Sequence, residues 1–207
     1  MKHLRQYIRQ ILLTEGMKTA DDLPSDIVIV IQSEPGYMEA YYAMAADPSV
    51  IADQFNASAF GSITIYPTAE SREGQCGDAW MVGGSSAYSG WGPLLYDVAI
   101  EWATQNGGGL ISDRESVSDA AREVWDFYRY RRQQDVNHVQ LDNLEDSFEN
   151  GPQDDCSQST AEEEMEGETG PDGYETSAWV NSALSKAYKK PPTTINALKA
   201  AGKLVML

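Results

Sequence analysis

Hydrophobic residues follow two different spacings along the middle of the chain, and the change of spacing marks the predicted elements. Trp80 to Val82 is a short apolar run that favours a strand, which Gly83 to Ser86 loosen or end. Beyond Gly90-Trp91-Gly92, apolar side chains recur at helical spacing, and Pro93 suits the first helical position, where a missing N–H costs nothing. These apolar residues are Leu94, Leu95, Val98, Ala99 and Trp102. The pattern predicts a strand, a tight glycine turn and a helix.

Earlier in the chain, the same analysis predicts further strands. The continuous Ile and Val residues of Asp26 to Gln32 predict a strand, and Pro35-Gly36 predicts a turn. Tyr37 to Ala46 fits either a strand or a helix, and we favour the strand, which closes a hairpin across the turn. The alternating residues Ser62 to Tyr66 predict another strand, antiparallel to the one at Trp80.

After the central helix, a glycine-rich turn leads to a short strand, Leu110-Ile111, and then to a second helix. This helix carries Ala121, Val124, Trp125 and Tyr128 on one face. Ser177 to Tyr188 returns to helical spacing, and Thr194 is placed to cap a last helix that continues through Ala201 and ends at Gly202. Leu204 to Leu207 then forms a terminal strand or an apolar anchor.

Charge changes the picture in two ways. The net charge of −17 argues against direct nucleic-acid binding through phosphate contacts, and no run is apolar enough to predict a membrane span. Between Asp142 and Glu175 there are 13 acidic residues and no Lys or Arg, which predicts a flexible acidic segment, with an interaction tail as the alternative. The predicted organisation is a linker at 16–25, a domain at 26–141, an acidic segment at 142–176 and a C-terminal helical segment at 177–207 that packs on the domain.

Few residues offer recognisable chemistry. Cys76 and Cys156 are far apart, without a Cys-x-x-Cys or His cluster, so the sequence indicates neither a disulfide framework nor a metal site. A Gly-x-Gly between a strand and a helix points backbone N–H groups at the positive end of the helix dipole, which predicts a site for a phosphate-bearing ligand. A plain turn is the alternative for so short a motif.

The order of strand, glycine turn, helix, strand and helix resembles the GNAT superfamily of acyl-CoA-dependent N-acyltransferases. The family's Arg/Gln-x-x-Gly-x-Gly/Ala motif is matched by Ala87, Gly90 and Gly92, with Ala87 in place of the longer side chain. The family's next block is often Asn-x-x-Ala-x-x-Leu-Tyr. Its four named positions correspond here to Ser118, Ala121, Val124 and Trp125. The resemblance spans about Ile63 to Arg132. It implies an α/β (α+β) fold with a mixed, splayed β-sheet flanked by helices.

The resemblance also implies a cofactor, acetyl-CoA, and an amine acceptor. Met81 and Val82 would line the pantetheine, and Ser89, Gly90, Trp91 and Gly92 would hold the pyrophosphate. Tyr128 would protonate the leaving thiolate, with a core aromatic as its alternative role, and Asp78 would be the general base, with a solvated loop carboxylate as its alternative. Three arginines, Arg129, Arg131 and Arg132, would cap a helix or attract the acidic cofactor. The rival function is a non-catalytic virion protein with a degenerate acyltransferase scaffold.

Residues 1–15 form a basic amphipathic leader helix in an acidic protein. Leu13-Thr14-Glu15-Gly16 resembles the sites cut by prohead maturation proteases of tailed bacteriophages, and the leader resembles capsid-targeting peptides. This resemblance implies cleavage between Glu15 and Gly16, binding of prohead scaffold or core proteins through residues 1–15, and a location in the phage head interior, the host cytoplasm or both. The alternative is a helix that stays attached and packs on its own domain.

Overall fold

The computed structural model describes residues 18–51, 60–68, 76, 78–88, 90–141, 156 and 180–207. This part of the chain is a mixed α+β fold, a curled mixed sheet flanked by three helices, and it is compatible with a GNAT-like fold. The leader, Glu15 and Gly16, and the acidic segment apart from Cys156 lie outside the described residues. None of the helices in the described ranges has both the length and the apolar character needed to cross a bilayer.

The elements have the following bounds. The strands are β1 (Ile27–Glu34), β2 (Tyr37–Met44), β3 (Asp47–Ile51), β4 (Gly61–Pro67), β5 (Trp80–Ala87), β6 (Leu110–Ile111), β7 (Asn137–Gln140), β8 (Lys186–Lys189) and β9 (Leu204–Met206). The helices are α1 (Gly92–Asn106), α2 (Asp119–Arg131) and α3 (Thr193–Ala200), and a short 3₁₀-helix spans Ala20–Asp22. The strand order in the sheet is β7-β8-β6-β5-β4-β2-β1-β9, with β3 beside β2. Two neighbouring pairs, β5–β6 and β1–β9, are parallel, and the other pairs are antiparallel.

The predicted hairpin near the start of the domain is confirmed. β1 and β2 pair antiparallel from Ile27 opposite Met44 to Glu34 opposite Tyr37, with Gly36 at φ 93° in the turn. β1 is buried on both faces, because Ile29 belongs to the main core whereas Val30 belongs to a second apolar cluster on the opposite face. A strand covered on both faces needs a continuous apolar run, which explains the uninterrupted Ile and Val residues.

Helix α1 packs on one face of the sheet and forms the centre of the main core. Leu95, Val98 and Ala99 on α1 are almost fully buried. The facing strand residues in the same core are Ile29, Ile31, Met38, Ala40, Tyr42, Ile63 and Ile65. α1 therefore has a fixed position relative to β4 and β5, the two strands beside the predicted glycine loop.

Strand β5 is longer than predicted. It continues through Gly83 to Ser86 and ends at Ala87, because this stretch still pairs with β4. Thr64 pairs with Gly84 and Ile65 pairs with Val82, which leaves Gly83 as the extra residue of a β-bulge. The Tyr66 ring lies so close that a Cβ on Gly83 would be 2.3 Å from it. Glycine at this position thus permits the bulge rather than ending the strand.

The C-terminal region also differs from the prediction. In the described part of Ser177 to Tyr188, Val180 and Asn181 are helical, but Lys186–Lys189 forms strand β8, which inserts between β6 and β7. Thr194 is not the cap of α3, which begins one residue earlier. The carboxylate of Glu101 on α1 accepts the backbone N–H groups of Thr194 and Ile195, each at 2.7 Å, and so caps the helix from a distant part of the chain. The terminal strand is confirmed as β9.

Cys76 and Cys156 form a disulfide, which the sequence analysis did not indicate. They are 80 residues apart in sequence, yet their Cα atoms lie 4.5 Å apart, and both side chains are fully buried. Sequence spacing does not show which distant segments the fold brings together, and two cysteines without a motif gave no signal of pairing.

Candidate functional site

The sheet opens between β5 and β6. These parallel strands pair only at Trp80 with Leu110 and at Met81 with Ile111, although β5 continues to Ala87. Because β6 ends at Ile111, the rest of β5 has no partner on that side among the described strands. The backbone groups on that side of β5 therefore face an open space beside α1 and α2.

Two adjoining cavities, of about 160 and about 250 Å³, occupy this opening, and we call them together the groove. They share four lining residues, Ser85, Tyr96, Ser118 and Ala121, which come from β5, α1 and the start of α2. The Ser118 hydroxyl caps α2 by accepting the N–H of Ala121 at 3.3 Å, which holds the wall of the groove in place. The groove follows β5 beyond Met81, from Val82 to Ala87.

The glycine loop at the outer end of the groove is held in a defined shape. Gly90 has φ 86°, in the left-handed region that glycine adopts without strain. The buried Trp91 ring packs edge-on against Tyr42, whose hydroxyl donates to the Trp91 carbonyl at 2.8 Å. The loop is thus anchored to the core immediately before α1 begins at Gly92. The first N–H groups of a helix have no intrahelical partner and attract anions.

The predicted cofactor residues do not all reach the groove. Gly92 lines the cavity of about 160 Å³, which we call the outer cavity, and Val82 lines the cavity of about 250 Å³, which we call the inner cavity. Gly90 and Trp91 form the loop between β5 and α1. Met81 pairs with β6 and lines neither cavity, and Ser89 lies outside the described residues.

A residue that the sequence analysis missed, Tyr96, lies at the middle of the groove. It lines both cavities, and its hydroxyl is hydrogen-bonded to the Ser85 hydroxyl at 3.0 Å. Burial raises the pKa of Tyr96, an effect that the Ser85 hydrogen bond partly offsets. The ring packs edge-on against Trp125, with centroids 5.5 Å apart. Tyr96 follows Gly92 by one helical turn, so the helix periodicity contained the signal that could have identified it.

Tyr128, the predicted acid, is fully buried and lines neither cavity of the groove. Its hydroxyl donates to Asp97 Oδ1 at 2.8 Å and to the Pro93 carbonyl at 3.0 Å. Burial and the nearby Asp97 carboxylate raise the pKa of this hydroxyl well above its ordinary value. In this structure, Tyr128 ties α2 to the first turns of α1.

Asp78, the predicted base, lies at the opposite end of β5 from the glycine loop. Its carbonyl accepts the N–H of Gly108 at 2.8 Å, and the residue is exposed. Asp78 is absent from the lining of the groove. The predicted acid, base and glycine loop are therefore not brought together, whereas Ser85 and Tyr96 are brought to the loop.

The three predicted arginines separate into two places. Arg129 donates to the carbonyls of Val180 and Ser182, each at 3.0 Å, and so binds the segment before β8. Arg131 and Arg132 instead border a different cavity, on the far side of α1. Arg129 is thus a structural contact in this fold.

Comparisons with protein-family models, with curated proteins and with solved structures gave no match to this chain. Its function is therefore inferred from the groove and the loop.

Proposed function

We propose that the protein is an acyl-CoA-dependent N-acetyltransferase-like protein, with acetyl-CoA as cofactor and an amine as acceptor. The observation that supports this most directly is the opening of β5 from β6 beyond Met81, beside an anchored glycine loop and a helix N-terminus. An extended acyl-pantetheine arm suits a groove that follows β5, and a pyrophosphate suits the helix N-terminus at Gly92, where α1 begins.

In this proposal, the groove accelerates the reaction mainly by placement. The acceptor amine attacks the thioester carbonyl, the C–S bond breaks, and the thiolate leaves with a proton from a nearby donor. Unpaired backbone N–H groups of β5 would polarise the carbonyl. Tyr96 is the candidate donor, because its hydroxyl lies in the groove next to Ser85 and burial keeps it protonated.

The alternative is a non-catalytic virion protein that retains this scaffold. It is favoured by Ala87, which offers no polar side chain to a pyrophosphate, and by Trp125, which stands where the acyltransferase family often has a tyrosine. Packaging through residues 1–15 is compatible with either function, because the leader and the groove are made of different residues.

Calorimetric titration with acetyl-CoA tests the proposal. The unmodified chain should bind, and Gly92→Leu should abolish binding because the new side chain fills the outer cavity. An added Cβ at Gly92 would meet only Ala87 Cβ at 3.5 Å, so the variant should keep its melting temperature. Ala200→Leu, on the exposed surface of α3, is the matched control and should bind normally. If acetyl-CoA does not bind to the unmodified chain, the proposed acyltransferase function is refuted.

The role of Tyr96 has a separate readout. With a panel of amines and colorimetric detection of released thiol, Tyr96→Phe should bind acetyl-CoA normally but turn over about 10²-fold or more slowly. Equal turnover by the variant would exclude Tyr96 as the donor without affecting the binding result.

A further inference from the structure

A third cavity lies on the far side of α1 from the groove, and we call it the polar cavity. Its volume is about 540 Å³, within the range of small-molecule sites. It is bounded by residues 18–21, the first turns of α1, the end of α2 with the turn that follows, and the start of α3. No part of the proposed acyl-transfer step uses it.

The N-terminus of α1 separates the polar cavity from the groove. Leu94 and Asp97 face the polar cavity, whereas Gly92 and Tyr96 face the groove. These two pairs lie on opposite sides of the helix, since residues three or four apart share a face. A ligand held at the first N–H groups of α1 can therefore extend into both spaces.

The lining of the polar cavity is rich in cations for so acidic a protein. The whole chain has 15 basic and 32 acidic residues, but this lining has more basic than acidic side chains. The basic ones are Lys18, Arg131, Arg132 and Lys190, and the acidic ones are Asp21, Asp97 and Asp135. The lining therefore has a net charge of +1, against −17 for the whole chain.

The two inner cations already have partners. Arg132 pairs with Asp135 and, at 3.3 Å, with Asp97. Lys190 is buried and pairs with Glu101, which lies behind the cavity wall, and it is 4.0 Å from Asp97. Asp97, Asp135 and Glu101 outnumber these two cations by one charge, so any attraction for an anion has to come from the outer cations.

The two outer cations, Lys18 and Arg131, have no hydrogen-bond or ion-pair partner for their side chains among the described residues. The backbone N–H of Lys18 donates to the Gly90 carbonyl at 3.1 Å, which fixes this residue beside the glycine loop. Its Nζ lies 5.9 Å from the centroid of the Trp91 ring. The nearby Asp22 carboxylate is occupied by Thr19, whose N–H and hydroxyl donate to it at 2.8 and 2.9 Å.

We propose that the polar cavity binds the 3′-phosphate of coenzyme A, a phosphate monoester at the nucleoside end of that ligand. Lys18 and Arg131 are its cationic contacts. The inference rests on the proposed function, because the ligand reaches this cavity across the N-terminus of α1. In the family motif, the position of Ala87 on β5 carries an Arg or Gln side chain that alanine cannot replace. In this proposal, Lys18, in the segment before β1, supplies the positive charge instead. A dianionic phosphate between these two cations, which form no ion pair among the described residues, gains charge-assisted hydrogen bonds and competes with the longer-range attraction between Lys18 and Asp22.

The test compares three ligands by calorimetry on the full chain: coenzyme A, 3′-dephospho-coenzyme A and adenosine 3′,5′-bisphosphate. Coenzyme A should bind about tenfold more tightly than its dephospho form, consistent with the loss of charge-assisted contacts. Lys18→Ala and Arg131→Ala should each reduce this ratio, and the double variant should bring it to about one. Lys199→Ala, an exposed lysine outside the cavity lining, should leave the ratio unchanged. Circular dichroism and melting temperature establish that each variant is folded.

The outcomes separate this inference from the proposed function. Equal binding of coenzyme A and its dephospho form by the unmodified chain overturns the phosphate subsite and leaves the acyltransferase standing. If neither binds, the acyltransferase is refuted, and the bisphosphate decides the subsite alone. Binding of the bisphosphate that is lost in the double variant supports the subsite, whereas no binding, or binding that both variants retain, overturns it.

Discussion

Removal of the Cys76–Cys156 disulfide should lower the stability of the fold by a predictable amount. The two cysteines are 80 residues apart, so the bond closes a large loop that restricts the unfolded chain. For a loop of this length, the chain-entropy relation gives a loss of about 4.5 kcal/mol in the free energy of unfolding. In a protein of this size, that corresponds to a fall of roughly 10–15 °C in melting temperature. Cys76→Ala and Cys156→Ala should show the same fall, because each removes the same cross-link.

Thermal melting with and without a reductant provides the measurement. The unmodified chain should melt at a lower temperature when reduced, whereas either alanine variant should melt at the same temperature in both conditions. The buried sulfur atoms also contribute packing, so the reduced unmodified chain isolates the cross-link from the side-chain change. Two free thiols titrated in the unreduced, unfolded protein, together with a melting temperature that the reductant does not change, would refute the reasoning.

Three further predictions follow from buried groups and from the leader. Glu101→Gln should lower the free energy of unfolding in urea by about 3 kcal/mol, because it leaves the buried Lys190 with only the more distant Asp97, at 4.0 Å, as a counter-charge among the described residues. The double variant Glu101→Leu with Lys190→Met should cost less, because it removes both buried charges. Burial and the nearby positive charge of Arg129 lower the pKa of Lys186 in the folded protein to about 7. Between pH 7 and about 10.5, the unfolded state therefore binds more protons than the folded state. The stability of the unmodified chain relative to Lys186→Met should therefore rise with pH across this window and be lowest below it, and a constant difference would contradict this. If residues 1–15 are a packaging leader, mass spectrometry of mature particles should find a chain that starts at Gly16, whereas an intact chain would exclude cleavage.

Local pattern was enough to predict the elements whose surroundings are simple. The Ile and Val run of β1, the hairpin turn at Gly36 and the apolar face of α1 each reflect one backbone periodicity and one type of contact. The Ser118 cap of α2 was not predicted, although it is equally local, since the hydroxyl accepts an N–H three residues away. Each of these features is decided by residues that are close in sequence.

The features that failed prediction depend on distant partners. β8 is a strand because it fits between β6 and β7, and α3 is capped by Glu101 from α1, more than 90 residues earlier in the chain. The groove could be predicted only as a glycine turn, because its shape depends on where the pairing of β5 with β6 stops. Tyr96 was overlooked because the sequence alone does not distinguish an aromatic residue that packs in the core from one that lines a cavity.

The position of β9 beside β1 has a consequence for how the protein is made. β1 is translated long before β9, its parallel partner, because most of the described chain lies between them. Until β9 has been translated, one edge of an Ile- and Val-rich strand stays open to pairing with another chain. β8 likewise arrives after both of its neighbours, β6 and β7, so the sheet of the nascent chain stays incomplete until then. Chains that stop before β9 should therefore aggregate more readily than the unmodified chain.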